Sequence, residues 1–384
     1  MALRGLKVVE MAGLAPAPMA GMILADFGAS VVRVDKKNAP LMDYLTRHKR
    51  SIAVDLRHPE GVGVVHRLCR TADILIEPYR PGVMEKLGLG PHELLEKNPR
   101  LIYSRLTGFG QTGPLSHKAG HDVNYLAISG VLSMLGRSNQ PPNPPINLLA
   151  DFAGGSAMCV LGILLALIER NTSQRGQVVD AAMVEGATYL NYFLRASKKM
   201  GIWTEPRGHN LLDSGAPFYE VYTTSDGRYM AVGAIEPNFY NPLLEGLGLN
   251  EDDLPGQMDI QKWPEMKQKF AEIFATKTQQ QWTEIFSDLD ACVQPVLDMD
   301  EAVTHPHNVH RGMFQRTASD DVQVCPAPKL SRTPGRSTDT AGVLNTGQHT
   351  VEILKELQYP QKEIQQLIDG EIVIQYKHIG KSRL

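Results

Sequence analysis

Residues 7–34 read KVVEMAGLAPAPMAGMILADFGASVVRV, two short β-branched runs on either side of an apolar segment with helical period. Lys7-Val8-Val9-Glu10-Met11 and Ser30-Val31-Val32-Arg33-Val34 are strand candidates. Between them, Ala17 to Phe27 reads as a helix, with Met19, Met22, Ile23 and Leu24 apolar at near-helical spacing. The alternation continues outward: Ser51-Ile52-Ala53-Val54-Asp55 is a strand ahead of a helix from Pro59 to Thr71, then come Ile74-Leu75-Ile76 and Leu101-Ile102-Tyr103-Ser104. This order predicts an α/β domain on a doubly wound parallel sheet, Rossmann-like, with right-handed crossovers. The first turn carries no G-x-G-x-x-G, which argues against a nicotinamide dinucleotide site.

A chain of 384 residues exceeds what one compact core usually organises, so two domains are expected. The character changes near residue 200. Phe218 to Thr223 and Tyr229 to Ala234 are strands joined by Ser225-Asp226-Gly227, a hairpin signal. Helices follow at Pro264 to Ala275 and after a Thr278 cap. A smaller α+β domain is expected over 205–315, beside a large domain over 1–195. The proline-rich run Ser138 to Pro145 reads as a stiff connector. Two closing helices, Gln348 to Leu357 and Gln361 to Ile368, end the pattern.

Charged residues make up 21% of the chain and hydrophobic ones 42%, as in ordinary globular proteins. A net charge of −3 argues against a nucleic-acid binder, which needs a basic face. Cys69, Cys159, Cys292 and Cys325 are scattered without C-x-x-C spacing, giving neither a disulfide framework nor a zinc site. Phe152 to Ile168 is uncharged, at the short limit for a bilayer span, and its Gly154, Gly155, Ser156 and Gly162 favour a buried core helix instead. The N-terminus reads as a strand rather than a signal peptide. Ser382-Arg383-Leu384 is a variant of the Ser-Lys-Leu peroxisomal address, which an import receptor would read.

Two motifs carry candidate chemistry. Gly120-His121-Asp122 and Ala150-Asp151-Phe152 put an imidazole and a carboxyl on two connections, each leading into an apolar, helical segment. A His and an Asp at helix starts can simply be caps. They can also converge on one carbon from opposite sides, taking a proton from one face and returning one to the other, as a racemase or epimerase needs. Burial of Asp151 beside Phe152 would raise its pKa, the useful direction for an acid. The Asp122 backbone N–H, near a helix start, suits an oxyanion, and its carboxylate reads as structural.

Several further motifs occur in order. Ala72 to Gly88 (ADILIEPYRPGVMEKLG), Leu106 to Pro114 (LTGFGQTGP), Asn147 to Gly155, Gly176 to Asp180 and Gly233 to Pro237 together resemble the class III CoA-transferase family. Gly120-His121-Asp122 resembles its racemase branch, since transferases usually carry an aromatic in place of the His. The resemblance runs from about residue 3 to about 315 and returns weakly at the C-terminus. It implies interconversion of (R)- and (S)-2-methylacyl-CoA thioesters in branched-chain fatty acid and bile acid metabolism, without a redox cofactor. It also implies a tail, 320–384, that completes the large domain, an interlocked homodimer, and residence in peroxisomes with a mitochondrial pool alongside. Glu236 would pair with His121 across the subunit interface; its own context favours a solvated loop residue instead. The competing reading is a CoA-transferase with Asp151 as nucleophile.

A CoA thioester brings phosphates, so basic residues near strand ends are expected to meet it: Arg33, Lys36, Arg57 and Arg80. Lys36 stands where relatives often carry Arg. The resemblance assigns Val54-Asp55-Leu56-Arg57 to the adenine edge. It assigns Gly120 to Tyr125, that is Gly120, His121, Asp122, Val123, Asn124 and Tyr125, to the pantetheine and thioester. The run Arg47-His48-Lys49-Arg50 is either a solvated loop or a 3′-phosphate contact. His305-Pro306-His307-Asn308-Val309-His310 has no defined ligand spacing, and no metal is expected.

Overall fold

The computed structural model describes residues 1–37, 43–338 and 344–376; Ser382-Arg383-Leu384 lies outside the described residues. The chain divides into two units. The first joins 1–129, 146–190 and 306–384, and the second joins 130–145 and 191–305. The proline-rich run expected as a connector in the large domain therefore groups with the second unit, and 306–319 groups with the first.

The first unit is built on β1 (Lys7–Met11), β2 (Ser30–Asp35), β3 (Lys49–Val54), β4 (Ile74–Glu77), β5 (Ile102–Thr107) and β6 (Val178–Ala182). Their spatial order is β3-β2-β1-β4-β5-β6, all parallel, and Val373–Ile374 adds an antiparallel edge beside β3. This is the doubly wound α/β fold expected from residues 7–104. Helices cover both faces, so the strands are buried in near-continuous runs: every residue of β4 and β5 is buried. The order reverses between β1 and β4, which opens a crevice at the carboxyl ends of those strands.

Charged residues inside the sheet neutralise one another. Glu10 meets Lys49 at 2.6 Å, Arg33 meets Asp35 at 2.9 Å, and Glu77 meets Arg105 at 2.8 Å. Removing one member of such a pair is costly, because the other is left as a bare buried charge. The run at 47–50 is thereby corrected. Lys49 and Arg50 open β3, Arg47 binds Asp26, and Arg50 binds Glu352 and Glu356. Its charges serve the fold and leave none free for a phosphate.

Leu148–Ser173 is one long helix whose first ten residues, Leu148–Ala157, wind as a π-helix. Such windings are rare and concentrate at functional sites. The expectation of a buried core helix holds for one face only. Cys159, Val160, Ile163 and Ala166 are buried against the sheet, whereas Leu161, Leu165 and Ile168 are 43%, 57% and 67% exposed. The helix is long and apolar enough to cross a membrane by length and composition, yet its Arg170 is buried and holds Asp73 and the Arg100 carbonyl.

The second unit carries β7 (Tyr219–Thr223), β8 (Tyr229–Gly233) and β9 (Val293–Pro295), an antiparallel sheet. Tyr222, Phe270, Phe274, Trp282 and Phe286 form its aromatic core, with Tyr222 and Phe274 stacked at 4.9 Å. Thr278 and Gln281 form the predicted cap as a full capping box. Arg137 binds the buried Glu220, and Arg207 donates to the Ser133 carbonyl, which ties 130–145 to this unit.

Candidate active site

At the β1–β4 crevice lies a cavity of about 890 Å³, lined by the loops that follow β1, β4 and β5 together with His121 and Asp151. The loop after β1 runs straight into the helix Pro16–Asp26. Prolines 16 and 18 remove two N–H donors from its first turn. This start therefore differs from a glycine-rich dinucleotide cradle, in keeping with the missing motif.

His121 stands immediately before the helix Asp122–Ser129. The cap there is made by backbone and by Asn124: the Asn124 and Tyr125 N–H groups donate to the His121 carbonyl, and Asn124 Oδ1 accepts the His121 N–H at 3.0 Å. The imidazole is not spent on capping; it is exposed and lines the cavity. Tyr125 is seated behind it, its hydroxyl donating to the Gly120 carbonyl and its ring edge-on to Phe109 at 4.9 Å. A Cβ on Gly108 would fall 2.1 Å from that ring, so glycine is needed for the ring to sit there.

Asp151 lies in the first turns of the π-helix and is half-buried. It is not the residue that caps this helix. The cap comes from Asp122, whose Oδ2 accepts the Ala150 N–H at 2.7 Å and the Asp151 N–H at 2.9 Å. The Asp122 carboxylate is thus structural, as its context suggested. Gly154 and Gly186 press the π-helix against the helix Met183–Leu190, since a Cβ on Gly186 would fall 1.8 Å from the Gly154 carbonyl oxygen. Burial pushes the Asp151 carboxyl above its ordinary range and the Asp122 charge adds to the rise, while an Asn147 hydrogen bond and His121 pull it back. The direction is the one expected from the sequence, and the influence of His121 places both groups in one electrostatic site.

Of the other expected contacts, Arg33, Lys36, Arg80, Gly120 and Tyr125 line the same cavity. Arg33 is buried and engaged by Asp35 at 2.9 Å and Asp43 at 2.8 Å, so it is not the free cation that was expected. Lys36 is exposed, 5.8 Å above the Tyr79 ring. Arg80 is exposed. Lys118, which the sequence reading passed over, is a third exposed cation on this lining. Asp122, Val123 and Asn124 do not line the cavity; Asn124 anchors the turn that holds His121. Val54-Asp55-Leu56-Arg57 stands at the carboxyl end of β3, outside this lining, with Arg57 bound to Asp55 at 2.7 Å. Glu236 belongs to the second unit, where it is exposed and directly precedes the helix Pro237–Leu247. Among the described residues no three His, Cys, Asp or Glu side chains are grouped to hold a metal.

Comparison with known proteins supplies the lineage. The chain is 56% identical over 373 residues to the alpha-methylacyl-CoA racemase of Mus musculus, covering 97% of this chain and 98% of that one. It is 54% identical over 374 residues to the Homo sapiens protein of the same name, with the same coverage. Among solved structures, a CAIB/BAIF family protein from Brucella suis superposes with a TM-score of 0.76 at 24% identity, over 92% of this chain and 99% of that one; at that identity it speaks for the fold. The model of CoA-transferase family III matches residues 3–350, which include every strand end and helix start that builds this cavity. The chain belongs to CoA-transferase family III.

Proposed function

We propose that the chain is a racemase of 2-methylacyl-CoA thioesters. The observation that carries this reading is the meeting of His121 and Asp151 on one cavity at the carboxyl end of the sheet. The α-proton of a thioester is a very weak acid, so its removal needs both a positioned base and a partner for the enolate oxygen. Neutral His121 takes the proton from one face. The C–H bond breaks, and its electron pair moves into the enolate as the thioester oxygen gains charge. The Asp122 backbone N–H, at the start of an eight-residue helix, is the donor assigned to that oxygen. Asp151 in its acid form then delivers a proton to the opposite face, re-forming the C–H bond with inverted configuration. In the reverse direction the two groups exchange roles. The direction of the Asp151 shift supports this division, because burial and the neighbouring Asp122 both favour its acid form.

Lys36, Arg80 and Lys118 are the cations assigned to the CoA phosphates, and CoA enters as part of the substrate. Val54-Asp55-Leu56-Arg57 is assigned to the adenine edge, and Gly120 to Tyr125 to the thioester arm. The reading includes a homodimer in which Glu236 of one chain pairs with His121 of the other and fixes its tautomer. Support comes from the exposed stripe Leu161, Leu165 and Ile168, with Tyr189 and Leu190 also exposed; an apolar surface of that extent is seldom left to solvent. Peroxisomal residence, with entry through Ser382-Arg383-Leu384, and a role in branched-chain and bile acid metabolism complete the proposal. A mitochondrial pool alongside the peroxisomal one belongs to the same proposal.

A CoA-transferase would use the same Asp151 as a nucleophile but has no task for an imidazole at carbon. H121A decides between the two. Loss of C2 exchange with CoA-ester binding retained supports the racemase, and full racemisation by H121A refutes it.

A further inference from the structure

Asp122 is 3% exposed. Its Oδ2 takes the Ala150 and Asp151 N–H groups, while its Oδ1 is buried without a hydrogen-bond partner among the described residues. A single neutral acceptor would satisfy both amides. A second oxygen and a full charge, buried and unspent, add a cost that capping alone does not require.

We propose that Asp122 is a positioning residue for Asp151: its Oδ2 fixes the backbone from which the Asp151 carboxyl projects, and its buried second oxygen sets a carboxylate beside that carboxyl. This role rests on the racemase reading above. A racemase base and acid work best when their proton affinities are brought close together, and an anion beside Asp151 moves it toward an imidazole. The rise in the Asp151 carboxyl comes first from burial and then from Asp122.

Other charged groups on the elements packed around the π-helix are otherwise engaged or turned to solvent. Asp26 binds Arg47, Arg105 binds Glu77 and Glu85, Asp180 accepts the Gln111 N–H, and Arg170 binds Asp73. Glu169, Glu185 and Tyr189 are exposed. On the helix that starts at Asp122, Tyr125 also shares the field of Asp151. His121 opposes the effect of Asp122, as does the Asn147 hydrogen bond.

The sign follows directly. Without the Asp122 charge the Asp151 carboxyl gives up its proton at lower pH, so the basic limb of the pH–rate profile, which the acid Asp151 sets opposite neutral His121, moves to lower pH. The test is D122N, which keeps an acceptor for both amides, beside D122A, which keeps neither acceptor nor charge. Deuterium exchange at C2 of one 2-methylacyl-CoA enantiomer is followed from pH 5 to 9. D122N is expected to move that basic limb down by about one pH unit, with a lowered kcat and little change in KM. An unmoved limb overturns the proposal, since a purely structural cap lowers activity without shifting it. The Asp151 carboxyl is titrated in parallel by carbon-13 NMR, assigned with D151N, and is expected to fall in D122N. An unchanged carboxyl overturns the electrostatic role whatever the reaction. Wild-type protein that exchanges no deuterium instead refutes the racemase reading itself.

Discussion

Replacing Lys49 with Met should destabilise the protein in a way that depends on pH. The side chains of Lys49 and Glu10 are both fully buried, with Nζ 2.6 Å from Oε2 and 2.8 Å from the Pro18 carbonyl. Burial holds the Glu10 carboxyl at about 7 against an ordinary 4.5, even with Lys49 pulling it down. The folded value lies above the unfolded one, so the unfolded chain loses its proton first. Stability from this group therefore falls as pH rises from 4.5 through about 7. At ~1.4 kcal/mol per pH unit, that interval corresponds to about 3 kcal/mol. Without Lys49 the interval widens, and the loss at pH 8 should reach about 3–5 kcal/mol, the cost of breaking a buried pair. Near pH 5 Glu10 keeps its proton when folded and the burial cost of the Lys49 charge is gone, so the loss should be below about 1 kcal/mol. Urea denaturation at the two pH values measures this, and E10Q combined with K49M should recover most of the stability at pH 8. A loss that is the same at both pH values would refute the reasoning. The effect should also reach the site, because Lys49 holds the Pro18 carbonyl two residues along from Pro16, whose carbonyl accepts from Ser156 on the π-helix.

Two further outcomes follow from geometry. G108A places a Cβ 2.1 Å from the Tyr125 ring and should cost about 1–3 kcal/mol by overpacking; a variant as stable as the parent in urea would contradict the seating of that ring. L165E puts a charge in the exposed stripe at 161, 165 and 168 and should convert a dimer to monomer in light scattering. A dimer that persists unchanged would remove this helix from the interface.

The alternation over residues 7–104 made the parallel sheet legible, because strands covered on both faces read as plain apolar runs. β3 was legible only from Ser51 onward. Its opening residues Lys49 and Arg50 look like a solvated loop until the sheet supplies Glu10 as a buried partner and the helix Thr350–Glu356 supplies Glu352 and Glu356. Local periodicity carries no trace of a partner that distant. The same limit hid β9, three residues long, and the edge strand Val373–Ile374, two residues long. The π-helix was illegible for a different reason, since its apolar, glycine-containing sequence suits an ordinary helix equally well. At the site, His121 and Asp151 stood out by residue type and context. The capping work of Asp122 needed the fold, because the N–H groups that donate to it lie 28 and 29 residues away. Arg33 illustrates the opposite error: a cation at a strand end is an attractive phosphate ligand until Asp35 and Asp43 are seen on either side of it.

The most direct measurement is to incubate the protein with one enantiomer of a 2-methylacyl-CoA in heavy water, with no added cofactor, and follow C2 by NMR. Two-face proton transfer by His121 and Asp151 predicts deuterium at C2 together with loss of chirality. No exchange, with CoA instead appearing on an added free acid, would contradict it and assign Asp151 the role of a transferase nucleophile.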